Sequence, residues 1–247
     1  DLREKPDDAT VALIYKAWLD HLVIVFPGQD LSQEGLIPVT GYFGRMGQID
    51  RPAKYRPPGF ARMLPGIMLI SNIRENGEPI GALPDGEMMF HHDMIHSDMP
   101  DKGTLLYSCE IPSTGGNTLF ASGYAAYDTL DPEVRNRLEG RMAIHHYNYG
   151  SVQKGDGKGT EAFGECRHPV FRTHEDTNRK AVYVNRLMTV GVDGIPQAEA
   201  EQLLNAVFDH AEKKEFVYEH VWRLGDLMLW DNRNSSHART DFPSTER

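Results

Sequence analysis

Residues 88–100 concentrate side chains that can bind a metal or carry protons. The segment reads MMFHHDMIHSDMP and holds three histidines and two aspartates. Imidazoles beside carboxylates can form a metal site, a proton relay or a solvated turn without chemistry. If the segment is a β-strand, residues two apart share a face, so His91 and Asp93 point the same way while His92 points to the other side.

His237 is the candidate that would complete a metal site. One imidazole and one carboxylate are too few ligands for iron, and a second histidine would complete the facial triad of non-haem Fe(II) oxygenases. The apolar run DLMLW precedes the polar turn DNRNSS, which would deliver His237 to a cavity mouth. An alternative is a zinc-binding HxxxH pair of His92 and His96, which needs a helix that the β pattern disfavours.

Two helices and a short strand are predicted to precede this region. DDATVALIYKAWLDH has apolar residues at helical spacing, with Thr10 as the predicted cap. LSQEGLIPVTGYFG predicts a second helix that begins near Ser32. LVIVF and GIMLISNI predict buried strands, the first ended by Pro27 and Gly28.

From Met88 onward the pattern is mainly β. Strands are predicted in TLLYSCEI, NTLFAS, RMAIHHYNY, HPVFRTH, AVYVN and DLMLWDN, with helices only near 125–138 and 197–214. The Gly- and Lys-rich segment 151–165 lacks apolar periodicity and is predicted to be a surface loop. Strands separated by turns, with few helices between them, favour a jelly roll or sandwich over a parallel α/β sheet.

Composition limits the classes of function. The chain has 36 acidic and 26 basic residues, a formal net charge of −10, and no basic run, which disfavours nucleic-acid and membrane partners. Its two cysteines form no CxxC motif, which disfavours a disulfide scaffold and fits a reducing cytoplasm. We expect one domain over residues 1–247, cut at both ends, in a cytoplasmic homo-oligomer of dimer or tetramer size.

Four blocks of sequence resemble the taurine dioxygenase family of Fe(II)- and 2-oxoglutarate-dependent oxygenases, which includes 2,4-dichlorophenoxyacetate dioxygenase and the alkylsulfatases. The blocks are FHHD, IPSTGGNTLFASGYAAYDTL, HPVFRTHEDTNRKAVYVNRL and GDLMLWDNRNSSH. The third departs from the family pattern at Glu175 and Asn178, where proline and glycine are usual. The resemblance implies a mainly β fold with flanking helices, a double-stranded β-helix (a cupin-like jelly roll), with iron bound by His91, Asp93 and His237.

The resemblance also implies residues that bind the cosubstrate. Thr118 corresponds to the threonine that contacts the carboxylate of 2-oxoglutarate. The distal carboxylate needs a cationic partner, because a buried carboxylate without one is costly, and a bidentate arginine meets this need. In the family this arginine follows the distal histidine, and Arg247 stands at that position or next to it.

The implied activity is that of an oxidoreductase. Fe(II), 2-oxoglutarate and O2 would serve to hydroxylate a small organic anion, with release of succinate and CO2 and cleavage of a C–S, C–O–S or aryl ether bond. Arg239 is the candidate cation for the substrate, and Glu87 and Asn185 are further candidates. Taurine is disfavoured, since Glu87 replaces an expected asparagine and ARMLPGI lacks an expected histidine. A zinc hydrolase or a non-catalytic sensor on the same fold remains an alternative.

Overall fold

A computed structural model describes residues 1–47, 56–82, 86–148, 151, 153–154 and 162–243. Its helices are α1 (Asp8–His21), α2 (Gln33–Thr40), α3 (Gly123–Thr129), α4 (Pro132–Leu138) and α5 (Gln197–Ala211), with 3-10 helices at Pro58–Arg62 and Lys214–Phe216. Its strands are β1 (Val23–Phe26), β2 (Arg74–Glu75), β3 (Glu78–Pro79), β4 (Met88–His91), β5 (Gly103–Tyr107), β6 (Thr118–Ser122), β7 (Met142–Asn148), β8 (Ala162–Pro169), β9 (Phe171–Thr173), β10 (Lys180–Val182), β11 (Thr189–Val192), β12 (Val217–His220), β13 (Leu227–Asp231) and β14 (Ser235–Arg239).

Two antiparallel sheets position the residues of interest. The first sheet has the strand order β12-β6-β14-β4, and the second sheet has the order β1-β13-β5. The tight turn 232–234 leads from β13 in the second sheet to β14 in the first. Together with the sheet β11-β7-β8 and the hairpin β9-β10, they form the predicted mainly β jelly roll with flanking helices.

Strand β13, at the centre of the second sheet, is buried on both faces. Met228 and Trp230 of β13 form an apolar cluster with Phe120 of β6 and so join the two sheets. The alternate residues Leu227 and Leu229 pack with Trp18 of α1 on the other face. This double burial explains the continuous apolar run DLMLW, since each buried side chain of this size contributes about 1.5–3 kcal/mol.

The helix starts follow from their caps. Helix α1 begins at Asp8, because the carboxylate of Asp7 accepts the amide hydrogen of Thr10. The prediction that Thr10 is the cap is therefore wrong, since Thr10 lies in the first turn and supplies the donor. Helix α2 is capped by Ser32, as predicted. The predicted helix 125–138 divides into α3 and α4, where Asp131 caps a new start at Pro132.

Two other predictions differ from the structure. GIMLISNI forms no strand: residues 66–73 are irregular, and the run is half exposed. A Cβ on Gly81 would lie 2.2 Å from the carbonyl oxygen of Ser71, so the two backbones are in close contact. The backbone N–H groups of Ile80 and Ala82 donate to the carbonyl oxygens of Ile73 and Leu69. The predicted loop 151–165 ends earlier, because β8 begins at Ala162, and residues 155–161 lie outside the described ranges.

None of the described helices combines the length and the apolar character that a bilayer crossing needs.

Candidate metal centre

Strand register brings the two histidines of the site together. In the first sheet β14 lies between β4 and β6, and His237 stands directly opposite His91 on one side and Phe120 on the other. Cross-strand partners point to the same face of a sheet, so their side chains meet. The centroids of the two imidazole rings are 4.1 Å apart.

Asp93 joins them from a turn. Strand β4 ends at His91, and Asp93 lies two residues further on, before Met94, which has a φ of 55°. Its Oδ1 atom is 3.7 Å from Nε2 of His91 and 3.6 Å from Nε2 of His237. The three residues therefore lie together as predicted, but the element that carries Asp93 differs from the predicted one. Asp93 is not part of the strand, whereas His237 lies in the middle of β14, which follows the predicted polar turn.

The donor set fits a divalent metal ion. Two ligands that each lie about 2.1 Å from one metal can be at most about 4.2 Å apart, and both carboxylate–imidazole separations fall within this limit. The Nδ1–H of His91 donates to the carbonyl oxygen of Met89 at 3.0 Å, which leaves the Nε2 lone pair facing the site. Among the described residues, no other group of three potential ligands comes together in this way.

Burial sets the protonation states that a metal needs. It lowers the pKa of His91, and it lowers that of His237 to about 3, because a buried imidazolium loses its hydration. Burial acts to raise the pKa of Asp93, but the two imidazoles and the hydroxyl of Thr104 outweigh it and hold that pKa below its usual value. Two neutral imidazoles and one carboxylate therefore face each other at neutral pH.

The neighbouring histidines lie outside this group. His92 is 1% exposed, and its Nδ1 accepts a hydrogen bond from the side-chain amide of Asn185 at 3.2 Å. The ring of His96 lies 5.1 Å from that of Tyr147. Residues 93–96 form a turn, so the helix that an HxxxH zinc pair requires is not formed.

A buried ion pair holds the turn before β14. Arg233 donates to both carboxylate oxygens of Asp231, at 2.9 and 2.6 Å, and to Asp176 at 2.7 Å. Nδ1 of His174 accepts the backbone amides of Asp176 and Thr177, so its Nε2 carries the hydrogen and donates to Asp231 at 3.0 Å. The polar turn predicted from DNRNSS thereby has a physical basis.

The cosubstrate and substrate candidates are placed differently from one another. Thr118 is buried, stands directly opposite Arg239, and accepts the indole N–H of Trp222 at 3.0 Å. Arg239 lies two residues beyond His237 on the same face of β14, and it donates to the carbonyl oxygen of Gly86. A cation, a hydroxyl and the two histidine ligands therefore line one face of the first sheet, with Asp93 beside the histidines.

The remaining candidates are less closely tied to this face. Glu87 is exposed. Asn185 is 2% exposed, and its amide is bonded to His92 and to the backbone N–H of Met188, so it supports the fold around His92. Arg247 lies outside the described residues.

Comparison with known proteins shows which family this chain belongs to. The sequence profile of the family described as "Taurine catabolism dioxygenase TauD, TfdA family" matches residues 1–247. The alpha-ketoglutarate-dependent 2,4-dichlorophenoxyacetate dioxygenase of Cupriavidus pinatubonensis is 31% identical over 260 residues, which cover 100% of this chain and 88% of that protein. The (S)-phenoxypropionate/alpha-ketoglutarate-dioxygenase of Sphingobium herbicidovorans is 29% identical, covering 98% of this chain and 84% of that protein.

A solved structure is similar throughout. The crystal structure of AAD-2 in complex with Mn(II) and N-oxalylglycine superposes with a TM-score of 0.77 at 26% identity, covering 100% of this chain and 87% of that one. The similarity includes the whole of the jelly roll described above.

Proposed function

We propose that this chain, which belongs to the taurine catabolism dioxygenase TauD, TfdA family, oxidises a small organic anion with His91, Asp93 and His237 as iron ligands. It is an Fe(II)- and 2-oxoglutarate-dependent dioxygenase. The observation that carries the ligand proposal is the convergence of two neutral imidazoles and one carboxylate on the face of the first sheet. The comparisons support this activity, and they give no support to a zinc hydrolase or a non-catalytic sensor.

The chain supplies geometry and a dry surrounding. Bound iron, with 2-oxoglutarate and O2, supplies the oxidising power for hydroxylation, with succinate and CO2 as coproducts. Three ligands on one face leave the other positions of the metal for those partners. The rings of Trp230 and Phe120, with centroids 4.8 and 6.1 Å from that of His237, pack beside the ligand and keep water from it.

Anion recognition is proposed for the residues next to His237. Thr118 would hold a carboxylate of 2-oxoglutarate through its hydroxyl, and Arg247 would pair with the distal carboxylate, as the family resemblance implies. Arg239, which shares a face with His237, would attract the anionic group of the substrate. Roles for Glu87 and Asn185 in substrate binding stay predictions.

We propose an aryloxy carboxylate as the class of substrate. Met88 and Arg239 are cross-strand partners at a register shift, so an apolar residue that packs with Ile95, Tyr183, Leu187 and Met188 lies next to the cation. This pair matches an aromatic acid better than taurine, which has no comparable apolar body. The two relatives named for phenoxy acids support the choice. Hydroxylation of the carbon between the ether oxygen and the carboxylate would give a hemiacetal, whose C–O bond to the aryl group breaks to leave the phenol and a 2-oxo acid.

The setting of the enzyme is proposed from composition. A net charge of −10 and the free cysteines Cys109 and Cys166 support a cytoplasmic enzyme without nucleic-acid or membrane partners. A single catalytic domain over residues 1–247 and a homo-oligomeric state stay predictions. Light scattering on the purified protein tests the latter.

An anaerobic titration tests the proposed site. The apo-protein receives Fe(II) and then 2-oxoglutarate, and the visible charge-transfer band of the chelated cosubstrate is followed. We expect the band in the wild type and in His92→Gln, and no band in His91→Ala. Succinate release with phenoxy acids and with taurine then tests the substrate class. A full band in His91→Ala would refute the ligand set, and faster turnover of taurine would refute the aryloxy acid.

A further inference from the structure

The two carboxylate oxygens of Asp93 have different surroundings. Oδ1 faces the Nε2 atoms of His91 and His237, at 3.7 and 3.6 Å. Oδ2 faces away from them and accepts the hydroxyl of Thr104 at 2.6 Å. Because a hydroxyl hydrogen bond to a carboxylate is short and strong, Oδ2 is held outside the group of metal-facing atoms.

The hydroxyl of Thr104 is itself oriented by Asn232. The side-chain amide of Asn232 donates from Nδ2 to Oγ1 of Thr104 at 2.9 Å, and its Oδ1 accepts the indole N–H of Trp230 at 2.9 Å. An indole nitrogen only donates, so the amide orientation is determined. Oγ1 of Thr104 already receives a hydrogen from Asn232, and its own hydrogen is therefore available for Asp93.

This chain of hydrogen bonds belongs to the second sheet and its turn. Thr104 in β5 stands directly opposite Trp230 in β13. Asn232 is fully buried, and its backbone N–H donates to the carbonyl oxygen of Lys102 at 3.1 Å. The first sheet thus places the two histidines, while the second sheet holds the carboxylate.

We infer that Thr104 and Asn232 are positioning residues that make Asp93 a one-oxygen ligand, an inference that rests on the proposed ligand set. A carboxylate that turned both oxygens to the metal would occupy one more coordination position. That position would be needed, because a bound 2-oxoglutarate and O2 would require the coordination positions that the three protein ligands leave open. Thr104 and Asn232 therefore protect the binding of the cosubstrate as well as that of the metal.

Thr104→Val tests the inference, since it removes the hydroxyl at nearly constant volume. We expect its Co(II) affinity, measured by competition with a chelator, to fall about 10- to 100-fold. We also expect the 2-oxoglutarate concentration needed for the charge-transfer band of the Fe(II) protein to rise. Thr104→Ser keeps the hydroxyl and should restore both values to within about threefold.

Thr189→Val is the matched control. Thr189 is fully buried where Thr104 is partly buried, and its hydroxyl bonds the backbone N–H of Asn185 and the imidazole of His145. Its loss should lower the Tm of the apo-protein without changing Co(II) affinity. Asn232→Asp is a second variant, which places an acceptor beside Thr104 and competes for its hydrogen. It should shift both titrations in the same direction as Thr104→Val.

The outcomes separate this inference from the proposed function. The inference is overturned if Thr104→Val binds Co(II) and 2-oxoglutarate as tightly as the wild type does. It is also overturned if Thr104→Val and Thr189→Val lose Co(II) affinity equally. Loss of Co(II) binding in His91→Ala supports the ligand set whatever Thr104→Val does. Undiminished binding in His91→Ala removes the ligand set, and the positioning of Asp93 fails with it.

Discussion

Neighbouring residues of one type have different functions here. His91 points its Nε2 atom at Asp93, while His92 is buried on the other side and accepts a hydrogen bond from Asn185. Successive side chains of an extended chain point to opposite faces, and His92 directly follows His91, the last residue of β4. Arg239 shares the face of His237 for the same reason, and its function can be tested by a single substitution.

We expect Arg239→Gln to raise the KM for an anionic substrate at least about tenfold, equivalent to about 1.4 kcal/mol, with a smaller effect on kcat. The reason is that the guanidinium binds the anion in the ground state and the transition state alike. Steady-state succinate release measures both constants. The KM of Arg239→Lys should lie between those of the wild type and the glutamine variant, because lysine keeps the positive charge but lacks the planar, two-donor guanidinium.

Arg179→Gln is the control for this prediction. Its guanidinium forms a surface ion pair with Asp128, 3.1 Å away, and both side chains are more than half exposed. It should leave KM unchanged. An unaltered KM in Arg239→Gln would show that the anion binds elsewhere.

The turn between β13 and β14 is the element on which the site depends most. Its buried ion pair of Asp231 and Arg233 is joined by His174 and by Asp176, which also accepts a hydrogen bond from Tyr15 of α1. The backbone N–H of Asp231 donates to the carbonyl oxygen of Leu22, the residue that follows α1, at 2.9 Å. Helix α1, the second sheet and the first sheet are therefore linked at this one turn.

We expect Asp231→Asn to lower the free energy of unfolding of the apo-protein by about 3 kcal/mol, because it leaves the buried guanidinium of Arg233 without its closest partner. Urea unfolding followed by circular dichroism measures the change. Asp128→Asn, which breaks only a surface pair, should cost less than about 1 kcal/mol. Equal losses in the two variants would contradict a special role for the buried pair.

At the scale of the whole molecule, buried histidines connect stability to pH. Burial lowers the pKa of several of them, and that of His145, which is fully buried, falls to about 3. The unfolded chain binds a proton at each such histidine below its ordinary value of about 6.5, while the folded chain does not. This stability is therefore complete above about pH 6.5 and is lost as the pH falls toward 3.

The apo-protein should lose stability steeply between pH 6.5 and 5, by about 1.4 kcal/mol per pH unit for each such histidine. Carboxylates whose pKa is lowered in the folded protein add a further loss of stability at lower pH. Asp176 is an example: burial acts to raise its pKa, but Arg233, Tyr15 and Lys102 outweigh burial and lower the pKa to about 2. Urea midpoints measured from pH 7 to 5 test this expectation. The His145→Asn variant should be less stable than the wild type at pH 7, but its urea midpoint should fall less steeply with falling pH. Parallel curves of midpoint against pH for the two proteins would contradict this role of His145.

Local features of the sequence determined much of this protein. Residue types identified the histidines and the aspartate, the block GDLMLWDNRNSSH pointed to His237, and turn-separated strands predicted a jelly roll or sandwich. Helix α2 and strand β1 were predicted from a cap and an apolar run. These features depend on neighbours in the chain, so periodicity and caps reveal them.

The tertiary structure alone decided how those residues meet. The order of strands places β14 between β6 and β4 and so sets His237 opposite His91, a pairing that local periodicity does not encode. A turn and not a strand carries Asp93, and residues from the second sheet hold its second oxygen. Thr104 and Asn232 look unremarkable along the chain, because their function arises from contacts between segments far apart in sequence, and such contacts exist only once the two sheets have packed together.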